Sequence, residues 1–107
     1  MFTATTTITR SATSTPWFSD TPDGTLLVSM NSDPLVLEQN ITGADSLTRV
    51  SSLTFNSYND YQNWITKAVE TDPMIWIKRN DYIVANNMTL KVEESIDGGA
   101  AVVEKII

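Results

Sequence analysis

Polar and apolar residues alternate with a period of two along several stretches of this chain, and with a helical period along others. Residues Phe2 to Arg10 read FTATTTITR, with Phe2, Ala4, Thr6 and Ile8 alternating against Thr3, Thr5, Thr7 and Thr9. That alternation of β-branched residues predicts a strand with one apolar face and one row of threonines. Ser11 to Gly24 is rich in Ser, Thr, Pro and Asp and reads as a loop, with Trp17-Phe18 expected to pack back on the body of the domain. Thr21-Pro22 predicts a short helix carrying Leu26, Leu27 and Met30 on one stripe to about Asn31-Ser32. Gly24 weakens that helix, and a strand over Thr25 to Met30 is the competing reading.

A hairpin is predicted next. Leu35 to Thr42 places Leu35, Leu37 and Ile41 on one face, with Val36, Glu38 and Asn40 on the other. After a turn at Gly43–Ser46, Leu47 to Asn56 places Leu47, Leu53 and Phe55 inward and Thr48, Val50, Ser52 and Thr54 outward. Ser57 is a helix N-cap, followed by Tyr61, Trp64, Ile65, Ala68 and Val69 at helical spacing. Asp72-Pro73 breaks that helix, because proline lacks the backbone donor and disfavours a helical residue before it. Asp72 caps a second piece to about Asn86, with Ile75, Tyr82 and Ile83 inward and a left-handed terminus at Asn86-Asn87. Met88 to Ile96 is a strand with Met88, Leu90, Val92 and Ile96 inward. Ala100 to Ile107 is a further strand, closing its own sheet or reaching a second subunit.

This order predicts a single α+β domain over residues 1–107 of the ferredoxin-like βαββαβ type. Helices would cover one face of an antiparallel sheet, with an extra C-terminal strand. The other face would be polar but strongly β-forming. It is expected to pack on its twin across a two-fold axis, making a homodimer.

Composition narrows the function classes. The chain is 41% hydrophobic and 19% charged, ordinary for a globular domain. A net charge of −6 and scattered basic residues argue against nucleic acid. No histidine or cysteine is present, which removes the usual general base, the commonest metal ligand and any disulfide. No cofactor is expected, no membrane span or signal peptide is read, and a cytoplasmic location is the default. Glu93-Glu94 is not read as a catalytic pair, since strand neighbours point to opposite faces. Lys78-Arg79 reads as a solvated helix face, and Arg10 as a solvent-exposed strand end.

Candidate ligand-binding residues are Arg49, Phe55, Tyr61, Trp64 and Trp76. The aromatic residues would line an apolar pocket between helix and sheet, though core packing explains each taken singly. Arg49 shares the register of the buried face, and a buried guanidinium needs a partner. A carboxylate of this chain and the acid group of a ligand are the two alternatives. No catalytic residue and no metal ligand is assigned.

Phe55-Asn56-Ser57, Tyr61, Trp64, Arg79, Tyr82 and Asn86-Asn87-Met88-Thr89, after Asp45-Ser46-Leu47-Thr48-Arg49, together resemble the second half of dimeric α/β-barrel subunits of the ferredoxin-like class. That superfamily includes antibiotic-biosynthesis-type monooxygenases, and short chains of this kind also occur among uncharacterised phage and marine-microbial proteins. The resemblance implies the dimeric barrel. It carries over no catalytic residue, and haem-degrading members use a histidine that this chain lacks. Three functions are consistent with these observations. The first is a binding protein for an aromatic or fatty-acid-like ligand, or a small acid. The second is a cofactor-independent monooxygenase or isomerase. The third is a phage-like structural or accessory protein without a ligand.

Overall fold

A computed structural model describes residues 1–107. Five strands form one antiparallel sheet: β1 (Phe2–Thr9), β2 (Val36–Thr42), β3 (Thr48–Phe55), β4 (Thr89–Ile96) and β5 (Val102–Ile106), in the order β2-β3-β1-β4-β5. Three α-helices accompany them: α1 (Thr25–Met30), α2 (Tyr58–Thr71) and α3 (Ile75–Ala85). Two 3-10 turns, Phe18–Asp20 and Pro22–Gly24, lead into α1. The α+β class, the antiparallel sheet and the C-terminal strand are therefore as expected, and β5 pairs with β4 of its own sheet.

The helix boundaries follow local chemistry. Ser57 caps α2, its hydroxyl accepting from the Asp60 N–H at 3.1 Å. Asp72 ends α2 in extended backbone and accepts from the Met74 N–H at 3.0 Å, which starts the turn into α3. Asn87 takes the left-handed conformation (φ 55°), and the Met88 N–H reaches back to the Ile83 carbonyl at 2.9 Å. The start of α1 differs from expectation. The Thr21 hydroxyl donates to the Phe18 carbonyl rather than capping a helix. Gly24 is a requirement there and not merely a weak helix former. A Cβ at that position would lie 1.9 Å from the Phe18 carbonyl oxygen.

β1 is the central strand, paired with β3 on one side and β4 on the other. Its Phe2, Ala4 and Ile8 are buried, as are Leu53 and Phe55 of β3 and Leu90 and Val92 of β4. The opposite face carries the threonines, and their hydroxyls pair within the sheet: Thr3 with Thr54 at 3.4 Å, Thr5 with Ser52 at 3.0 Å, Thr9 with Thr48 at 3.2 Å.

β2 corrects the alternation. A bulge between Val36 and Glu38 sets Val36 opposite Phe55 and against the core, while Leu37 is 53% exposed. One extra residue reverses the faces assigned to Val36 and Leu37 from a strict period of two. Leu47 and Ile96, expected inward, are exposed.

The core is divided. One cluster gathers Phe2, Leu53, Phe55, Tyr61, Trp64, Ala68 and Ile75. A second gathers Ile8, Trp17, Ile83, Met88, Leu90 and Val92. Between Ala4 and Ile8 on β1 stands Thr6, and its partner in register on β3 is Ser51. Small side chains at Ala4, Thr6 and Ser51 leave the middle of the sheet's inner face low, and the helices above do not fill it.

Candidate ligand cavity

That gap is a cavity of about 330 Å³. Its floor is the inner sheet face: Ala4, Thr6 and Ile8 of β1, Arg49, Ser51 and Leu53 of β3, and Val92 of β4. Tyr61, Trp64 and Ile65 of α2 and Trp76, Arg79 and Asn80 of α3 form its roof. Trp17, Phe18 and Ser19 of the long loop, with Leu27 and Asn31 at α1, close one side, and Glu104 and Lys105 of β5 border another. A volume of this size is at the lower end for small-molecule sites, where apolar walls carry a few polar anchors.

The aromatic walls are fixed by one another. Tyr61 lies 4.7 Å from Phe2 and 5.3 Å from Phe55, centroid to centroid. Trp64 packs edge-on against Phe55 at 5.6 Å and meets Trp76 at 6.0 Å. The Trp64 indole donates to the Met30 carbonyl at 2.7 Å, tying α2 to the end of α1. Burial, with Glu104 and Glu94 nearby, holds the Tyr61 hydroxyl well above the usual phenol range, so it is a neutral donor.

Of the five residues singled out from the sequence, Arg49, Tyr61, Trp64 and Trp76 meet at this cavity. Phe55 does not line it. It is fully buried beneath Tyr61 and Trp64 and acts as their support. Arg49 is half-buried and forms no ion pair: the four in the protein are Met1 amino–Asp97, Lys67–Asp33, Lys78–Asp72 and Lys91–Glu93. Burial lowers its guanidinium pKa, and the charge of Asp20 offsets this only in part.

The chain matches no family model, no curated protein and no solved structure.

Arg79 is the chief residue that the sequence reading misplaced. It turns into the cavity, where burial lowers its pKa, and it stacks over the Trp76 ring at 4.9 Å. Its hydrogen bond is to the neighbouring Asn80 side chain at 3.2 Å. The signal was present. Arg79 is four residues after Ile75 and four before Ile83, both fully buried, so it shares their stripe on α3. Lys78, one position round the helix, does face outward and pairs with Asp72 at 2.9 Å.

Trp17 also lines the cavity, and it is held by a cluster built on Arg10. Arg10, expected in solvent, is 6% exposed. It donates to the carbonyls of Ser46 at 3.0 Å, Thr15 at 2.8 Å and Ala44 at 3.2 Å, and lies 3.9 Å over the Trp17 ring. The Trp17 indole donates to the same Ala44 carbonyl at 2.6 Å. Loop carbonyls with no strand partner thus draw the arginine inward.

Proposed function

We propose that this protein binds a small molecule with an aromatic or fatty-acid-like body and an acidic group, held in the cavity between helices and sheet. The observation that carries this reading is Arg49: a half-buried guanidinium at an aromatic cavity with no carboxylate of its own chain paired to it. A buried charge without a counter-charge is costly, and a ligand carboxylate would offset that cost through charge-assisted hydrogen bonds. Ser51, 9% exposed and on the same strand face, offers a hydroxyl beside it. A purely structural role would be favoured by a space too small for a ligand, and about 330 Å³ is not that.

The same reading includes a ferredoxin-like subunit of the dimeric α/β-barrel kind. β3 lies between β1 and β2, and β1 between β3 and β4, with every neighbour antiparallel. Two interlocked split βαβ units have this order, which supports the assignment. The threonine face, with its hydroxyls paired, is a polar surface suited to a second copy.

One observation favours the enzyme reading, a cofactor-independent oxygenase or isomerase. The carboxyl of Glu94 on β4 shares a hydrogen bond with Glu104, which borders the cavity; that bond, then burial, pushes Glu94 up to about 7. A group titrating near neutrality suits proton transfer. Oxygen uptake or isomerisation with a quinol-like substrate, without metal or flavin, would support the enzyme; none is expected of a binding protein.

Native mass spectrometry of the purified protein, followed by denaturing extraction, tests the main reading. A dimer carrying a small acid that the Arg49→Met protein no longer retains is the expected result. Equal retention by Arg49→Met would remove Arg49 as the anchor, and a monomer mass would remove the barrel dimer.

A further inference from the structure

Two cations, not one, are left open at the cavity. Besides Arg49, Arg79 reaches it from the roof and makes no ion pair. With Lys105 and Glu104 the lining carries three cations and one carboxylate, a local excess of two positive charges. The whole chain carries a net charge of −6. Such an excess within a strongly acidic protein is a specific feature of this site and not a consequence of composition.

The two guanidiniums enter from different walls. Arg49 rises from the sheet, opposite Ile8 in register and thus beside the second core cluster. Arg79 descends from α3 on the face of Trp76, which packs on Trp64 of the first cluster. They also have different electrostatic neighbours: Asp20 for Arg49, and Tyr61 with Glu104 for Arg79. A guanidinium takes a carboxylate as a planar two-point pair, so a single ligand carboxylate occupied by one arginine leaves the other without an ion-pair partner.

Building on the binding reading above, we propose that the ligand carries an acid at each end of an apolar body: a dicarboxylate, one head on Arg49 and the other on Arg79. The body lies along the apolar and aromatic walls between the two core clusters. Trp76 holds the Arg79 guanidinium in place, which lowers the cost of ordering it on binding.

Calorimetric titration with matched pairs of acids tests this. The probes are α,ω-dicarboxylates from succinate to dodecanedioate with the monocarboxylates of equal length, and naphthalene dicarboxylate with naphthoate. The best dicarboxylate is expected to bind at least about tenfold tighter than its monoacid, the gain of one further charge-assisted contact. Arg79→Gln should bring the dicarboxylate down to the level of the monoacid, whereas Arg49→Gln should weaken both. Equal affinity of monoacid and dicarboxylate in the native protein would overturn the two-headed ligand while keeping the binding reading. So would tighter binding of phenyl phosphate, which places both charges at one end. If no acid of either kind binds, the binding reading fails together with it. The comparison of acids on the unmodified protein decides even if a variant does not fold.

Discussion

Arg10, at the end of β1, and Arg49, on the neighbouring β3, meet opposite fates. Arg10, just past β1, is almost wholly buried, and its guanidinium is used by three backbone carbonyls and the Trp17 ring. Arg49, on β3, is only half-buried and faces a cavity with no ion-pair partner. The difference teaches how to separate a structural cation from a binding one. A structural cation is surrounded by acceptors the fold must satisfy anyway, and a binding cation is held near acceptors the fold does not supply.

The largest expected effect lies at the structural member. Arg10→Met should destabilise the protein by about 3 kcal/mol or more, because the carbonyls of Ser46 and Thr15 lose their side-chain donor, that of Ala44 keeps only the Trp17 indole, and the Trp17 ring loses its cation. Arg49→Met should cost less than about 1 kcal/mol and can be stabilising, since it removes an unpaired, partly buried charge. Urea denaturation of the two variants measures both. Equal losses would erase the contrast and would mean that Arg49 has a structural partner after all.

A smaller effect is expected at the floor of the gap. Ser51→Leu places apolar volume where the two core clusters are separated. It should raise stability by about 1 kcal/mol through added apolar burial, and it should abolish ligand retention. A destabilised protein would mean that the space is needed for packing of the helices and is not a site.

Much of this contrast was legible in the sequence. The register of Arg49 with Leu47 and Phe55 placed it inward, although Leu47 itself is exposed, and helical spacing put Tyr61 and Trp64 over the same face. What was not legible has physical causes. The inward turn of Arg10 depends on carbonyls of two loops, one of them more than thirty residues away along the chain. The reversal of Val36 and Leu37 depends on a bulge, which alternation alone does not reveal. Arg79 was hidden for a different reason. Its charge, next to that of Lys78, suggests a solvated face, although its spacing from Ile75 and Ile83 puts it on the buried stripe. The cavity itself follows from Ala4, Thr6 and Ser51, three small residues at the centre of an apolar face, a pattern visible only once β1 and β3 are set in register.

The smallest effect sharpens the contrast from the side of the acids. Glu94 stands beside Glu104 at the cavity edge, and a free carboxyl there would be ionised well below neutral pH. Instead the hydrogen bond between them, with burial, pushes Glu94 up to about 7, against an ordinary value of 4.5. The folded protein then holds a proton that the unfolded chain has released between those two values. Stability from this pair is fully present below about pH 4.5 and is lost as pH rises towards 7. Glu94→Gln keeps a hydrogen-bond donor to Glu104 and removes the titration. Because the pair is largely solvent-screened, the gain at pH 8 should be only roughly 2–4 °C in Tm, with no gain at pH 4. Melting curves of both proteins across that range measure it. An equal shift at both pH values would show that Glu94 does not titrate between them and would remove the shared proton.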